Sequence, residues 1–563
     1  MLINRGIVPQ NIQHYLHTTD EDILAPNLIN NIDIGVKMLI SHIAQNDKVL
    51  IIVDCDADGY TSAAILINYL YCLFPGFVQN NIIYRIHSGK QHGIEMDMVT
   101  NDVKLVICPD SASEQYNLHK ELRDRGIDVL IIDHHEASLV SQDACVINNQ
   151  LCDYPTKSLS GAGMIYKFCS YIDQLMNTEY AEDFIDLAAL GLIADMMDLR
   201  DFETKHLVEK GIQQVKNLYF KGMIEKNAYS LGEEITPIGV AFYIAPYVNA
   251  TIRVGTQEEK LLLFEAMLDY QGSELIPSTK RGCKGQVESK VEQACRNCTN
   301  IKNRQTKAVE ASLNEIERII EDEQLLENKI LTIKLPKVMN FNKTITGLMA
   351  NKLMGNYQRP VLVLHEVSSP EGTKWEGSAR GYDKSEFKDF RGFLLESGYA
   401  NYAMGHPNAF GASISDNKFN EFVDYTNHQL QLFDFSPKYN VDFIFSANTI
   451  QPSEILEIAK YKKLWGQAVD EPYVAIENIQ ITKNNLILMS PDKNPTVKIT
   501  MPNGISLIKF RSSKEEYETL YSDLGCVTIN VVGRCERNIW NGMISPQIII
   551  EDYEVVQRTN YYF

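Results

Sequence analysis

Apolar residues in this chain arrive in short bursts, separated by polar stretches or by stretches with helical spacing. Residues 49–53, Val-Leu-Ile-Ile-Val, form a run too short for a helix and closed by a turn signal, which predicts a buried strand. Bursts at 82–86, 103–108, 129–132 and 144–147 predict four more. Helical segments are predicted at 11–16 and 30–46, ahead of the first strand, and at 61–73 after it. Thr61 or Ser62 could cap that third helix, with Gly59 allowing a sharp backbone turn before it. Strands alternating with helices argue for an α/β fold with a doubly wound parallel sheet, whose ligands gather outside the carboxyl ends of the strands.

From about residue 437 the pattern changes. Runs at 473–476, 485–489, 497–499, 505–510, 527–532 and 547–550 alternate with Asn, Gly, Pro and Lys turns, which predicts a small antiparallel barrel of OB type. Phe510, Arg534, Arg537 and Trp540 could supply stacking and charge for single-stranded nucleic acid there, against the plainer reading of a barrel core with surface arginines.

Composition narrows the function classes. The chain of 563 residues is 45% hydrophobic and 22% charged, ordinary for a globular protein, and long enough for about three or four domains. Its net charge of -20 argues against holding nucleic acid by a bulk positive field. Polyanion binding would have to come from local patches, of which residues 280–307, with eight Lys or Arg against two Glu, are the best candidate; a solvated helix explains them equally well. No signal core occupies residues 1–10, no run of about 18 apolar residues exists, and eleven cysteines without a framework suit a reducing compartment, so a soluble cytoplasmic protein is expected. Cys295 and Cys298 lie in a polar segment without a second CxxC, which argues against a zinc site.

Candidate chemistry falls at the predicted strand ends. Asp54, Asp56 and Asp58 crowd after the first strand, and carboxylates at that density repel one another unless a hard cation such as Mg²⁺ or Mn²⁺ holds them. Asp110 follows the third strand, and Asp133-His134-His135 closes the fourth. Adjacent histidines on a strand end point different ways, so one can ligate a metal while the other addresses a substrate, with Asp133 orienting an imidazole. Asp195 ends an apolar helical stretch where an unpaired carboxylate would be costly. Each alone reads as a turn former, a satisfied core histidine or a helix-end residue; four in order are hard to explain that way.

The series DxDxDG, a strand-closing aspartate, Asp-His-His and GxxAD resembles the four motifs of the DHH phosphoesterases, and within them the RecJ single-strand-specific exonucleases. The resemblance runs from Arg5-Gly6-Ile7 through Ser160-Gly161-Ala162-Gly163 and residues 245–253 to Gly377-Ser378-Ala379-Arg380, residues 405–411, Leu464-Trp465-Gly466 and residues 538–542. It implies a DHH catalytic domain at 1–270, a long connecting helix at 271–325, a smaller α/β DHH-associated domain at 326–436 and an OB-like barrel at 437–563. It further implies two Mn²⁺ or Mg²⁺ ions, with Asp54, Asp56, Asp58, Asp110, His134 and Asp195 as candidate ligands, which two of the first three bind directly being left open by the spacing, and Asp110 as bridge. His135, oriented by Asp133, would contact the scissile phosphate, and Arg85, Asn249, Arg253, Ser378, Arg380, Gly405, His406 and Trp540 would hold single-stranded DNA. A helicase or single-strand-binding protein is the partner the family suggests, and a monomer the expected state. The chain departs from the family at Pro109-Asp110-Ser111-Ala112, where a glycine after the aspartate is lost, at Gln91-His92-Gly93 in place of Gly-Tyr-Gly, at Met404 and at Ile252.

Three functions fit: a 5′ to 3′ exonuclease on single-stranded DNA releasing 5′-mononucleotides, a phosphodiesterase for short oligonucleotides or cyclic dinucleotides, and a catalytically silent scaffold in a replication or repair complex. The tail barrel favours the first over the second, and the complete set of candidate ligands favours it over the third.

Overall fold

The computed structural model describes residues 1–563 except Lys90, Asn340, Glu371 and residues 561–563, and excepting the side chain of Asn560. The chain divides into two compact units, residues 1–299 together with 441–563, and residues 300–440.

The first unit is built on five parallel strands, β1 (Lys48–Val53), β2 (Ile82–Ile86), β3 (Val103–Pro109), β4 (Asp128–Asp133) and β5 (Cys145–Asn148), in the order β2-β1-β3-β4-β5. These are the five predicted apolar runs. They read as continuous rather than alternating because both faces are buried: Val49, Ile51 and Val53 join one apolar core, while Leu50 and Ile52 join another on the opposite face. Strand order reverses between β1 and β3, so the loops after these two strands open the crevice where doubly wound sheets bind ligands.

Predicted helices are present as Ile12–Leu16, Ile32–Gln45 and Ala57–Leu73. The third starts four residues earlier than expected, because the Asp56 carboxylate, not Thr61 or Ser62, accepts the Gly59 N–H at 3.0 Å and caps it. Gly59 therefore sits in the first helical turn and makes no sharp bend. It is needed for closeness: a Cβ there would lie 2.5 Å from the Cβ of Asp54.

A short hairpin, β6 (Leu275–Pro277) and β7 (Val287–Ser289), precedes the 33-residue helix Lys290–Asp322. Of the basic stretch, Lys290 is paired with Glu265 and Glu274, and Arg296 with Glu288. The second unit carries a five-stranded sheet, β8 (Leu331–Leu335), β9 (Val361–Ser369), β10 (Gly372–Arg380), β11 (Ala400–His406) and β12 (Ala409–Ser415), in the order β11-β12-β10-β9-β8. It is antiparallel except for the β8–β9 pair, with helix Thr346–Tyr357 packed on β9 and β10.

The tail forms seven strands, β13 (Val441–Ser446), β14 (Tyr473–Ile481), β15 (Leu486–Met489), β16 (Thr496–Thr500), β17 (Ser506–Phe510), β18 (Gly525–Trp540) and β19 (Met543–Asn560). Every predicted run is a strand, but the sheet is mixed rather than antiparallel: β13 runs parallel to β14, and β17 to β19. Its order, β13-β14-β18-β19-β17-β16-β15, ends in two edge strands. Within the first unit the tail is tied to the amino-terminal segment at Arg5, which forms a two-pronged ion pair with Asp442 at 2.8 and 2.9 Å and lies over the Trp465 ring. Trp465 itself belongs to the core of the parallel-sheet domain. No single helix among the described residues is long and apolar enough to cross a membrane.

Candidate metal centre

Six acidic and imidazole side chains meet outside the carboxyl ends of β1, β3 and β4. The three aspartates after β1 are each committed locally. Asp54 accepts from the Gly93 N–H at 3.0 Å and pairs with His92 Nδ1 at 2.6 Å, while Asp56 caps its helix. Asp58 faces the amino end of helix Gly161–Met176, accepting from Ser160 Oγ at 2.8 Å, Gly161 N–H at 2.6 Å and Ala162 N–H at 3.1 Å.

Asp110 follows β3 in the left-handed region, φ 69°, and Ala112 shares it at φ 81°. A residue with a Cβ pays about 1–2 kcal/mol there, the position where a glycine is missing from the sequence. Ala112→Gly is therefore expected to raise stability by roughly 0.5–1 kcal/mol after the glycine's larger unfolded-state freedom is counted, measured by denaturant unfolding. Gly161 lies so close that a Cβ on it would fall 2.4 Å from the Cβ of Asp110.

His134 places Nε2 3.1 Å from Asp110 Oδ1, 3.4 Å from Asp195 Oδ2 and 3.8 Å from Asp58 Oδ2. None of these approaches makes a hydrogen bond: His134 Nε2 and Asp110 Oδ1 are buried and lack partners. Orphaned polar atoms of that kind cost about 1–3 kcal/mol each and are the mark of a position meant for something else. The donor atoms fall into sets within 4.8 Å of one another, Asp54 with Asp56 and Asp110, Asp58 with His134 and Asp195, and Asp110 with Asp133, His134 and His135, the last sharing a member with each of the other two. An oxygen-rich set with one imidazole fits Mn²⁺ or Mg²⁺.

Beside it, Asp133 accepts from the amides of Ser113, His134 and His135 and from His135 Nδ1 at 2.8 Å. Burial would raise its pKa, but the His135 bond and charge outweigh that and hold it well below the usual carboxylate range. The same bond raises His135 to about 9. Its side chain is exposed, so a proton carried to the cluster can be presented to a ligand.

The cluster is electrostatically strained without a cation. Burial, then the neighbouring carboxylates, push Asp110 well above the ordinary range and Asp195 up to about 8; burial lowers His134. Between pH 4 and 8 the folded protein thus holds protons that the unfolded chain has released, so stability falls as pH rises. The melting temperature of metal-free protein is expected to drop from pH 5 to pH 8, and added Mn²⁺ to flatten that slope.

The expected nucleic-acid residues separate. In the first unit Arg85, on β2, and Arg253, on helix Ala245–Val254, are exposed. Asn249 is engaged, its Oδ1 accepting from the Ala57 N–H at 3.1 Å at the start of the motif helix. Trp540 sits 70% exposed at the β18–β19 tip, where Asn541 and Gly542 turn with positive φ. In the second unit Arg380, Ala409 and His406 are in register across β10, β12 and β11, next to Gly405. Ser378 bonds Thr346 at the start of helix Thr346–Tyr357, so these four residues share one end of that sheet.

Residues not anticipated as part of the site are Ser160 to Ala162, which clamp Asp58, and His87 and His92, which flank Asp54. The Ser-Gly-Ala-Gly start of a helix is a readable anion-facing signal, and His92 stands out as a departure from Gly-Tyr-Gly though not as a site residue; His87 lies in irregular chain and carries no signal.

Such a sheet, with an aspartate loop, a lone aspartate and Asp-His-His at successive strand ends, defines a DHH-type domain, and the family described as "DHH family, N-terminal domain" matches residues 48–192. The chain is 36% identical, over 99% of its length and 96% of the relative's, to a Bacillus subtilis protein provisionally assigned as the SPbeta prophage-derived single-strand DNA-specific exonuclease YorK. It is 26% identical to the single-stranded-DNA-specific exonuclease RecJ of the same organism, covering 99% of this chain and 67% of that one. Among solved structures, RecJ of Thermus thermophilus in complex with Mn²⁺ shares the fold, with a TM-score of 0.71 at 17% identity over 98% of this chain and 74% of that one. The chain belongs to the RecJ-type family of DHH proteins.

Proposed function

We propose that the chain is a metal-dependent exonuclease that degrades single-stranded DNA from its 5′ end to 5′-mononucleotides, in DNA repair or recombination. The carrying observation is the buried set around Asp110 and His134, whose facing atoms lack partners, in a chain similar end to end to proteins named as single-strand-DNA-specific exonucleases. Asp54, Asp56, Asp58, Asp110, His134 and Asp195 are assigned as ligands of two divalent ions, Mn²⁺ or Mg²⁺, with Asp110, which belongs to more than one set of clustered donors, between them. When bound, such ions polarise the phosphate and lower the pKa of the attacking water. His135 stays cationic through neutrality, faces solvent and can stabilise charge on the phosphate or protonate the leaving oxygen. Asp133 fixes its ring through Nδ1.

Strand binding is assigned to Arg85, Arg253 and Trp540, and to Ser378, Arg380, Gly405 and His406 at the shared sheet end, where the start of helix Thr346–Tyr357 favours a phosphate. Residues 1–270, 326–436 and 437–563 are assigned as the corresponding domains, the last an OB-like module, with the connecting helix at Lys290–Asp322 behind a hairpin rather than spanning 271–325. The sequence contains no GxxxxGK[ST] phosphate loop, so duplex would have to be opened by a separate helicase, with a single-strand-binding protein covering its product. The protein is assigned as a cytoplasmic monomer.

The test is a time course with Mn²⁺ on a single-stranded DNA labelled separately at each end. Immediate release of the 5′ label as mononucleotide with stepwise shortening of the 3′-labelled strand supports the reading. Survival of the long strand with cleavage of di- to tetranucleotides replaces it with a short-oligonucleotide phosphodiesterase.

A further inference from the structure

One group of donors beside the carboxylate cluster differs from it in chemistry. Cys55 lies between two of the motif aspartates, buried, with Sγ 3.4 Å from His92 Nε2 and 3.7 Å from its Nδ1. His92 Nδ1 in turn is 2.6 Å from Asp54 Oδ2, and a donor atom from each of Asp54, Cys55 and His92 falls within 4.8 Å of the others. With Nδ1 as the ligating nitrogen, its 3.7 Å from Sγ is close to the roughly 3.6 Å that bonds of about 2.1 and 2.3 Å subtend at a tetrahedral ion.

An independent observation concerns the same carboxylate. His87 is fully buried, and its Nδ1 pairs with Glu95 Oε2 at 2.9 Å. Nε2 has no partner and stands 3.8 Å from Asp54 Oδ1, and a buried polar atom left unpartnered beside a carboxylate marks a place that a cation can complete. The carboxylate–histidine arrangement is also how metal-binding imidazoles are commonly held.

We propose that Asp54, Cys55 and His92 form a thiolate- and imidazole-ligated site for a borderline divalent cation, Zn²⁺ or Co²⁺, with His87 facing the other carboxylate oxygen of Asp54. This deepens the metal-dependent reading and rests on it: one of the ions is then selected by sulfur and nitrogen donors, while the set around Asp110, His134 and Asp195 keeps the preference of oxygen-rich sites for Mn²⁺ or Mg²⁺. His92 stands where the sequence departs from the family's tyrosine, so the site would distinguish this chain from relatives that lack the imidazole. Binding displaces the His92 proton now shared with Asp54 and the thiol proton of Cys55, both to solvent.

The experiment uses the full chain stripped with EDTA and titrated with Co²⁺ followed by absorption, and with Zn²⁺ and Mn²⁺ followed by calorimetry, for wild type, Cys55→Ser, His92→Tyr and His92→Asn. Expected are a thiolate-to-cobalt charge-transfer band in wild type that Cys55→Ser abolishes, and about 10-fold or greater loss of Zn²⁺ affinity in each variant, with Mn²⁺ binding kept. His92 is exposed, so its variants fold, and melting curves in EDTA confirm this. Mn²⁺ binding without the band, or Zn²⁺ affinity unchanged by all three substitutions, overturns this inference alone. A wild type that binds no divalent cation overturns it together with the metal-dependent reading.

Discussion

Asp110→Asn is expected to lower single-stranded DNA hydrolysis by about 10³-fold or more, and to raise the melting temperature of the metal-free protein. Asp110 is 1% exposed, its Oδ1 has no partner, and Asp54, Asp56 and Asp58 all act on it electrostatically. Asparagine keeps the shape that Gly161 is cut away to admit, while removing the ionisable group. The gain in metal-free stability should grow from pH 5 to pH 8, because over that range wild type must either hold a proton the unfolded chain has lost or bury a repelled charge. With saturating Mn²⁺ the order should reverse, since wild type alone gains the full binding free energy. Activity assays and melting curves with and without Mn²⁺ check both halves. Equal Mn²⁺ stabilisation of the two proteins would remove Asp110 from the centre of the site, and full activity of the variant would remove it from the chemistry.

What could be read beforehand follows from how directly each feature is written in local sequence. The parallel sheet was readable because strands buried on both faces must be apolar at every position, as Val49 to Val53 are. Asp54, Asp110, His134 and Asp195 were readable because chemistry of this type needs those side chains at strand and helix ends. Partnerships made across long separations were not. The Ser160 to Ala162 clamp on Asp58 joins residues about a hundred positions apart, and nothing near Asp58 announces it. The helix start at Ala57 was misplaced because Asp56 competes with Thr61 and Ser62 as a cap, and only the geometry shows which carboxylate is spared for the backbone. Strands β18 and β19 run well past their apolar stretches into an exposed hairpin, where residues such as Trp540 are held by pairing rather than burial. Strand β13 was missed although it carries the short apolar run Phe443-Ile444-Phe445; it is a partly exposed edge strand.

The second large effect separates the two partners of the Asp133–His135 pair. His135→Gln is expected to reduce kcat by about 10²–10⁴-fold at neutral pH, the range for a lost proton donor, without unfolding, because the ring is exposed. Asp133→Asn should act through His135 instead. The bond from Nδ1 to Asp133 is the largest cause of the rise to about 9, so without it the imidazole returns toward its ordinary 6.5 and loses its proton as pH rises through neutrality. The variant should therefore retain more activity at pH 6 than at pH 8.5, with the alkaline limb of its kcat profile moved to lower pH than in wild type. Asparagine keeps one acceptor oxygen, so either the Ser113 amide or the amides of His134 and His135 lose a partner in this variant, a loss that does not titrate and so lowers the rate at every pH alike. Adding His135→Gln to Asp133→Asn should cost little beyond His135→Gln alone, as expected when one residue works through the other. A uniform drop across the profile, with no movement of the limb, would mean that Asp133 only supports the loop and that the proton on His135 plays no part in the rate.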